Sequence, residues 1–262
     1  MRPLKVVSYN IHRCYGVDGR YDPRRIAAVL MSLDADVIGL QEVDTSLFLP
    51  EHERRHPHAE PAVEEIAAGH PAAQRTQLQY LAESLGMQAV EGFVHHSRWG
   101  LFGNALLTRH DVFDVKRIDL TVRGASERRG ALDVGLKIED KDVRVIVTHL
   151  GLHVWERHFQ ITRLLKALGQ DRTPYLIMMG DFNLWVSMLP KLRRFYGRLG
   201  HAPIARTFPS RFPFLSLDRI WVQPFAGLKA VEACHTPMAR LASDHLPLVA
   251  TVDFLNGAGT LG

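Results

Sequence analysis

Cysteine is nearly missing from this chain. Cys14 and Cys234 stand alone among 262 residues, which excludes a disulfide framework and a thiolate metal cluster. Long apolar runs are missing too: no stretch approaches the roughly 18 apolar residues of a membrane-spanning helix. The opening residues, MRPLKVVSYN, run into a strand pattern without an apolar signal core or cleavage site. A strong charge excess is also absent. Lys and Arg number 32 against 28 Asp and Glu, a formal +4, which suits an anionic partner without demanding nucleic acid. The expectation is a soluble monomer in a reducing, cytoplasmic compartment.

What is present is enough for one large core: 46% of the residues are hydrophobic and 23% charged, and chains of this length built on two β layers are often single domains. Strand-like runs recur at 4–9, 36–41, 88–94, 103–109, 112–120, 131–138, 143–149, 175–180, 217–222, 228–234 and 247–254. KIEDKDVRV has the form of a hairpin. Helical periodicity appears at 23–33, with Asp22 as cap and Pro23 at the first position, at 76–85, closed by Gly86, and at 154–168. Many strands with few helices between them predict two sheets packed face to face with helices outside. No repeat or linker divides the chain, so a single domain over 1–262 is expected. Residues 51–75 mix charge, Pro and Ala without periodicity; a long connection of this kind is read as a mobile rim or lid next to Glu42.

Short polar clusters sit at the edges of the apolar, β-branched runs. They are Asn10 after VVSY, Gln41-Glu42 after DVIGL, His149 after VRVIVT, Asp181-Phe-Asn183 after YLIMMG, and Ser243-Asp244-His245 before LPLVATV; Asp218-Arg219 lies inside LSLDRIWV. Strand ends hold side chains rigidly, as metal and acid–base chemistry requires. Carboxylates, amides and imidazoles without thiols suit a hard divalent cation and a phosphoryl oxyanion. The pattern reads as a metal-dependent hydrolase.

The order N…QE…H…GDFN…LDR…SDH resembles the endonuclease/exonuclease/phosphatase superfamily, which includes deoxyribonuclease I, abasic-site endonucleases, inositol polyphosphate phosphatases and neutral sphingomyelinases. The resemblance covers 8–248 and extends to FGNALLTR and ERRGAL. THLGLH and TFPSRFPFLSLDRIWV are similar to a bacterial branch encoded beside cardiolipin synthases. The resemblance implies an α+β fold, a four-layer α/β/β/α sandwich of two mixed β-sheets flanked by helices. It implies a Mg²⁺-dependent hydrolase of phosphoric esters, with Mn²⁺ as an alternative ion. Glu42, Asn10 and Asp244 are the expected metal residues. Asp181 is the favoured general base, with His245, His149, Asn183 and Asp218 completing the catalytic group. His245 is expected to pair with Asp244 or Asp218. Arg129, Asn183 and His149 are expected to face the substrate phosphate.

Bland alternatives stand beside several of these. Arg129, next to Arg128, reads equally as a solvated surface charge. His52, His56, His58 and His70 have irregular spacing and no accompanying cysteine, which disfavours zinc. Phe208, Phe212, Phe214 and Trp221 serve either as a binding wall or as packing. For substrate, scattered Lys/Arg pairs and +4 favour a small or lipid head-group phosphoester over nucleic acid, with peripheral contact at the inner membrane. A metal-dependent nuclease is the alternative, and an inactive binding protein on the same fold is a third. Every active reading requires the eight residues from Asn10 to His245 to converge on one cleft.

Overall fold

The computed structural model describes residues 2–44, 76–97, 100–125, 127–169, 173–184 and 196–254. The expected lid at 51–75, with its four histidines, lies outside them. Eleven strands among the described residues form two sheets. The six-stranded sheet has the order β10-β11-β1-β2-β4-β3, built from β1 (Leu4–Asn10), β2 (Val37–Asp44), β3 (Gln88–Ser97), β4 (Gly100–Thr108), β10 (Leu228–Ala233) and β11 (Leu248–Val252). The five-stranded sheet runs β5 (Asp111–Asp119), β6 (Gly130–Ile138), β7 (Lys141–His149), β8 (Tyr175–Asp181), β9 (Asp218–Gln223). Both sheets are mixed. Each contains one parallel pair, β1–β2 and β7–β8, among antiparallel neighbours.

Parallel neighbours need a crossover, and the sequence supplies a helix for each. Helix α1 (Pro23–Leu33) joins β1 to β2, capped by the Asp22 carboxylate accepting from the Arg24 amide at 3.0 Å. Helix α3 (Val154–Gly169) joins β7 to β8. Helix α2 (Gln77–Leu85) starts with a capping box between Thr76 and Gln79 and stops at Gly86, which takes the left-handed conformation. The sequence pattern does not reveal α4 (Pro237–Ala242), because six residues are too short to show a period.

The strands read as continuous apolar runs because both of their faces are covered. In β1, Val6 faces the other sheet and Val7 faces the helices; in β7 the same division separates Val145 and Val147 from Ile146. In β8, Ile177 and Met179 point inward and Met178 outward. Three apolar clusters result, one between the sheets, one under α1, α2 and α4, and one under α3. These clusters fill the three gaps of a four-layer α/β/β/α sandwich, as expected. Each fully buried Val, Leu or Ile contributes roughly 1.5–3 kcal/mol, so the central gap is the main source of rigidity under the strand ends.

Two local departures aim the polar ends. Strand β2 does not stop at Leu40; it continues to Asp44 through a register shift against β4 between Leu40 and Val43. Glu42 lies in that bulge with φ of 56°, a left-handed conformation unusual for a residue with its side chain. In β8, Gly180 has φ of 149°, and a Cβ there would lie 1.8 Å from the Thr148 carbonyl oxygen on β7. Only glycine fits, and this close approach sets Asp181 beside His149. Gly180→Ala is therefore expected to destabilise the fold by about 3 kcal/mol or more. Thermal unfolding of the variant measures this; an unchanged midpoint would show that β8 can shift without cost.

Candidate active site

The four parallel strands end on the same side of the sandwich, and registers fix what meets there. Asn10 pairs with Gln41 across β1–β2, and His149 with Asp181 across β7–β8. Antiparallel β9 brings Asp218 opposite Asp181. The Ser243-Asp244-His245 segment is tied to the end of β1 by Ser243, whose hydroxyl donates to the Asn10 carbonyl at 2.8 Å.

One oxygen is the focus. Asp181 Oδ2 accepts from Asn10 Nδ2 at 3.2 Å and lies 3.4 Å from His149 Nε2 and 3.6 Å from His245 Nε2. The other carboxylate oxygen accepts from the Asn183 backbone amide at 3.0 Å. The same Asn10 amide nitrogen donates to Glu42 Oε1 at 3.1 Å, so a neutral amide links two carboxylates. Asn183, left-handed with φ of 51°, turns its side-chain nitrogen to the Leu150 carbonyl at 3.0 Å and to His149 Nε2 at 3.4 Å.

Behind His245 sits Asp218, fully buried, with Oδ2 2.9 Å from His245 Nδ1. The expected carboxylate partner of His245 is therefore Asp218. Asp244 is half-buried and faces His12, its Oδ1 3.9 Å from His12 Nδ1. Thr207 donates its hydroxyl to Asp218, and the Phe208 ring lies against His245 with centroids 4.9 Å apart. Thr207 was not legible as a site residue, since a lone Thr eleven positions before its partner carries no motif signal. Asn104, within FGNALLTR, is a second supporting residue. Its amide donates to the Gly130 carbonyl at 2.9 Å, which fixes the turn that carries Arg129.

Arg129 is buried, not a solvated surface charge. It is 8% exposed, pairs with Glu127 at 2.7 Å, and has a buried Nε without a hydrogen-bond partner. With Glu42, Asn104, His149 and the exposed Arg128 it lines one small cavity. A larger cavity of about 460 Å³, lined by Thr173, Arg198, Gln223 and Phe225 among others, lies at the opposite end of β8 and β9. It holds none of the converging groups.

The two site histidines are driven in opposite directions. Burial, with Arg129 and His245 nearby, holds His149 well below its ordinary value, so it is a neutral imidazole. Burial also opposes charge on His245, but Asp218 and Asp181 outweigh it and raise the group to about 10. Desolvation pushes Asp181 up to about 6 against the pull of His245. Oppositely displaced pKa values within one cleft divide a donor from an acceptor.

The donor set fits a divalent cation of the hard class. Glu42, Asp181 and Asp218 place more negative charge in this cleft than His245 balances, and the donors are oxygen and imidazole without thiol. Asp181, Asp218 and His245 bring three ligand atoms within 4.8 Å of one another, a possible metal site. The hydrogen bond between His245 and Asp218 makes proton relay the better use of that trio, leaving Glu42 as the open carboxylate. Of the expected metal residues, Glu42 and Asn10 meet in one hydrogen bond, and Asp244 lies beside His12. Asn10 gives Glu42 its amide nitrogen, while its oxygen accepts from the His12 backbone amide at 3.1 Å and keeps a second lone pair.

A profile described as the Endonuclease/Exonuclease/phosphatase family matches residues 7–245. The uncharacterized protein YbhP of Escherichia coli (strain K12) is 30% identical over 267 residues, covering 95% of this chain and 96% of that protein. The mannosyl-6-phosphatase of Bacteroides thetaiotaomicron VPI-5482 superposes with a TM-score of 0.67 at 19% identity, over 96% of this chain and 100% of that one. The human Nocturnin catalytic domain with bound sulfate gives 0.64 at 23%, over 97% and 95%.

Because His245 rises from 6.5 to about 10 on folding, its imidazolium contributes stability that is full below pH 6.5 and lost as pH passes about 10. Asp218→Asn removes the leading upward influence, so His245 titrates at lower pH and the alkaline loss of stability begins earlier. Imidazole NMR titration of wild type and variant reads this directly. A His245 signal that still titrates near 10 in the variant would overturn the assignment of its charge to Asp218.

Proposed function

The chain belongs to the endonuclease/exonuclease/phosphatase family, whose members generally hydrolyse phosphoester bonds and usually use a divalent metal, and on that premise we propose that it is a Mg²⁺-dependent phosphoesterase. The observation that carries the reading is the convergence of Asn10, His149 and His245 within 3.6 Å of Asp181 Oδ2, with Glu42 on the same amide.

Each residue then has a role that its surroundings support. Glu42 would hold the cation, Mg²⁺ or Mn²⁺, which when bound supplies Lewis-acid polarisation of a phosphoryl oxygen. Asp181 is ionised above about pH 6 and takes the proton of the attacking water at Oδ2. Asn10 and the Asn183 backbone amide fix that carboxylate in place. Neutral His149 donates one hydrogen bond to a phosphate oxygen without drawing charge from Asp181. His245, an imidazolium kept charged by Asp218, stabilises negative charge as the ester bond breaks. Arg129, with its unpartnered Nε, clamps a non-bridging oxygen.

For the substrate, we favour a small or lipid head-group phosphoester over duplex nucleic acid. The net charge is a modest +4, and the Lys/Arg pairs are scattered along the chain. Nucleic-acid enzymes draw affinity from many phosphate contacts and weaken steeply with salt. The mannosyl-6-phosphatase acts, by its name, on a small phosphate ester; Nocturnin holds a sulfate, a tetrahedral anion. Both support a site for one tetrahedral group.

Glu42→Gln keeps the shape and removes the charge, so hydrolysis of bis-nitrophenyl phosphate should fall by about 10²-fold or more, with folding retained. Chelation should abolish the wild-type rate and Mg²⁺ or Mn²⁺ restore it. An unaltered rate for Glu42→Gln at limiting metal sinks the metal assignment. Arg129→Gln should raise KM more than it lowers kcat if the guanidinium binds phosphate equally in the ground state. Rapid, salt-sensitive nicking of plasmid DNA, with no turnover of small phosphoesters, would establish the nuclease reading instead.

A further inference from the structure

The mouth of this cleft carries apolar side chains that the chemistry does not use. Residues 207–215 form a hairpin closed by a bridge between Phe208 and Leu215, directly before β9. At its tip Phe212 is 81% exposed, and Phe214 is 63% exposed. Across β8, Leu152 on the connection from β7 to α3 is 60% exposed, and Val154 and Trp155 in the first turn of α3 are about half exposed. Strands β7 and β9 are the two neighbours of β8, so these segments leave the sheet on either side of Asp181.

The hairpin is held firmly. The Ser210 amide donates to the Asp244 carbonyl at 2.7 Å, the Ser210 hydroxyl to the Ser243 carbonyl at 2.7 Å, and Arg240 Nη1 to the Ser210 carbonyl at 3.2 Å. Phe212 and Phe214 therefore face water on a fixed support, which marks a contact surface more than a loose end. The charge around them has one sign. Segments 148–155, 200–216 and 233–243 contain no Asp or Glu, while Arg206 and Arg211 are exposed beside the aromatics. Of the bounding acids, Glu156 is 4% exposed, and Asp244, half-buried, lies 3.9 Å from His12.

Aromatic and aliphatic side chains interleaved with arginines and free of carboxylates match the interface of an anionic bilayer. We propose that this rim seats on an anionic lipid surface and presents the cleft to phosphoester head groups. The inference rests on the phosphoesterase reading and names its substrate class as membrane lipid. Apolar insertion by Phe212, Phe214 and Trp155 and attraction by Arg211 act together, so binding requires anionic lipid and survives moderate salt in part.

The test is flotation of the full chain with vesicles of phosphatidylcholine alone and with added phosphatidylglycerol, at low and moderate salt. Wild type should float with the anionic vesicles, and the double variant Phe212→Ser/Phe214→Ser should partition roughly tenfold less. Trp155→Ser and Arg211→Glu should each lower partition by a smaller factor. All variants should hydrolyse water-soluble bis-nitrophenyl phosphate at the wild-type rate, because none of these side chains lies in the catalytic cleft. Hydrolysis of the soluble ester without vesicle binding, or variants that float like wild type, overturns the docking inference and leaves the phosphoesterase reading standing. Vesicle binding without hydrolysis of any ester overturns the phosphoesterase reading, and with it the head-group substrate, leaving only the lipid contact. Capture by duplex DNA in preference to anionic vesicles would overturn the docking inference as well.

Discussion

A carboxylate stripped of water has to be balanced by something, and the site is arranged around that demand. Asp181 lies 2% exposed at the end of β8, where burial disfavours its charged form and raises its pKa to about 6. Its charge is recovered by hydrogen bonds from Asn10 and Asn183 and by the imidazolium of His245. His245 is itself buried and holds its proton only because Asp218 stands behind it. Asp218 in turn depends on Thr207 and the hairpin that carries it. Each layer of this chain supports the one before it, from the hairpin inward to a single oxygen.

That arrangement needs the strand ends to be immobile, which explains why the fold uses four layers. Strands covered on both faces cannot tilt without disturbing two packed cores, so the polar residues after Tyr9, Leu40, Thr148 and Gly180 are held to fixed positions. Parallel pairing places the carboxyl ends of neighbouring strands side by side, and each sheet contains one such pair at the site. Local strain completes the aim: Glu42 and Asn183 both adopt left-handed backbone immediately after a buried run.

Much of this was legible in the residues, for identifiable reasons. Every strand-like run became a strand, because doubly covered strands announce themselves as β-branched stretches with turn residues between them. The polar clusters converged because motif order along the chain reflects register in the sheets. What sequence could not show were the couplings across space. Whether His245 pairs with Asp244 or Asp218 depends on an antiparallel register that brings position 218 opposite 181. The burial of Arg129 depends on Asn104 holding a carbonyl on another strand. The bulge at Glu42 has no compositional mark, since neither Gln nor Glu signals a left-handed residue. Neither does the orientation of the Asn10 amide, which follows from its hydrogen bond with His12.

The pairing of β1 with β11, in which Leu4 faces Val252, has a consequence for synthesis. Strand β1 thus has on one side a neighbour that is made much later. Ser243 reaches back 233 positions to the Asn10 carbonyl, and Asn10 spans 171 to Asp181. A nascent chain halted before Asp244 thus exposes an open sheet edge along β1 and has no proton relay, however well its earlier helices have formed. Closure costs loop entropy over the 233 positions between Asn10 and Ser243, so folding is slow relative to a helical protein of equal size. The cleft that gathers Asn10, Asp181 and His245 therefore assembles only after the segment carrying His245 has been made.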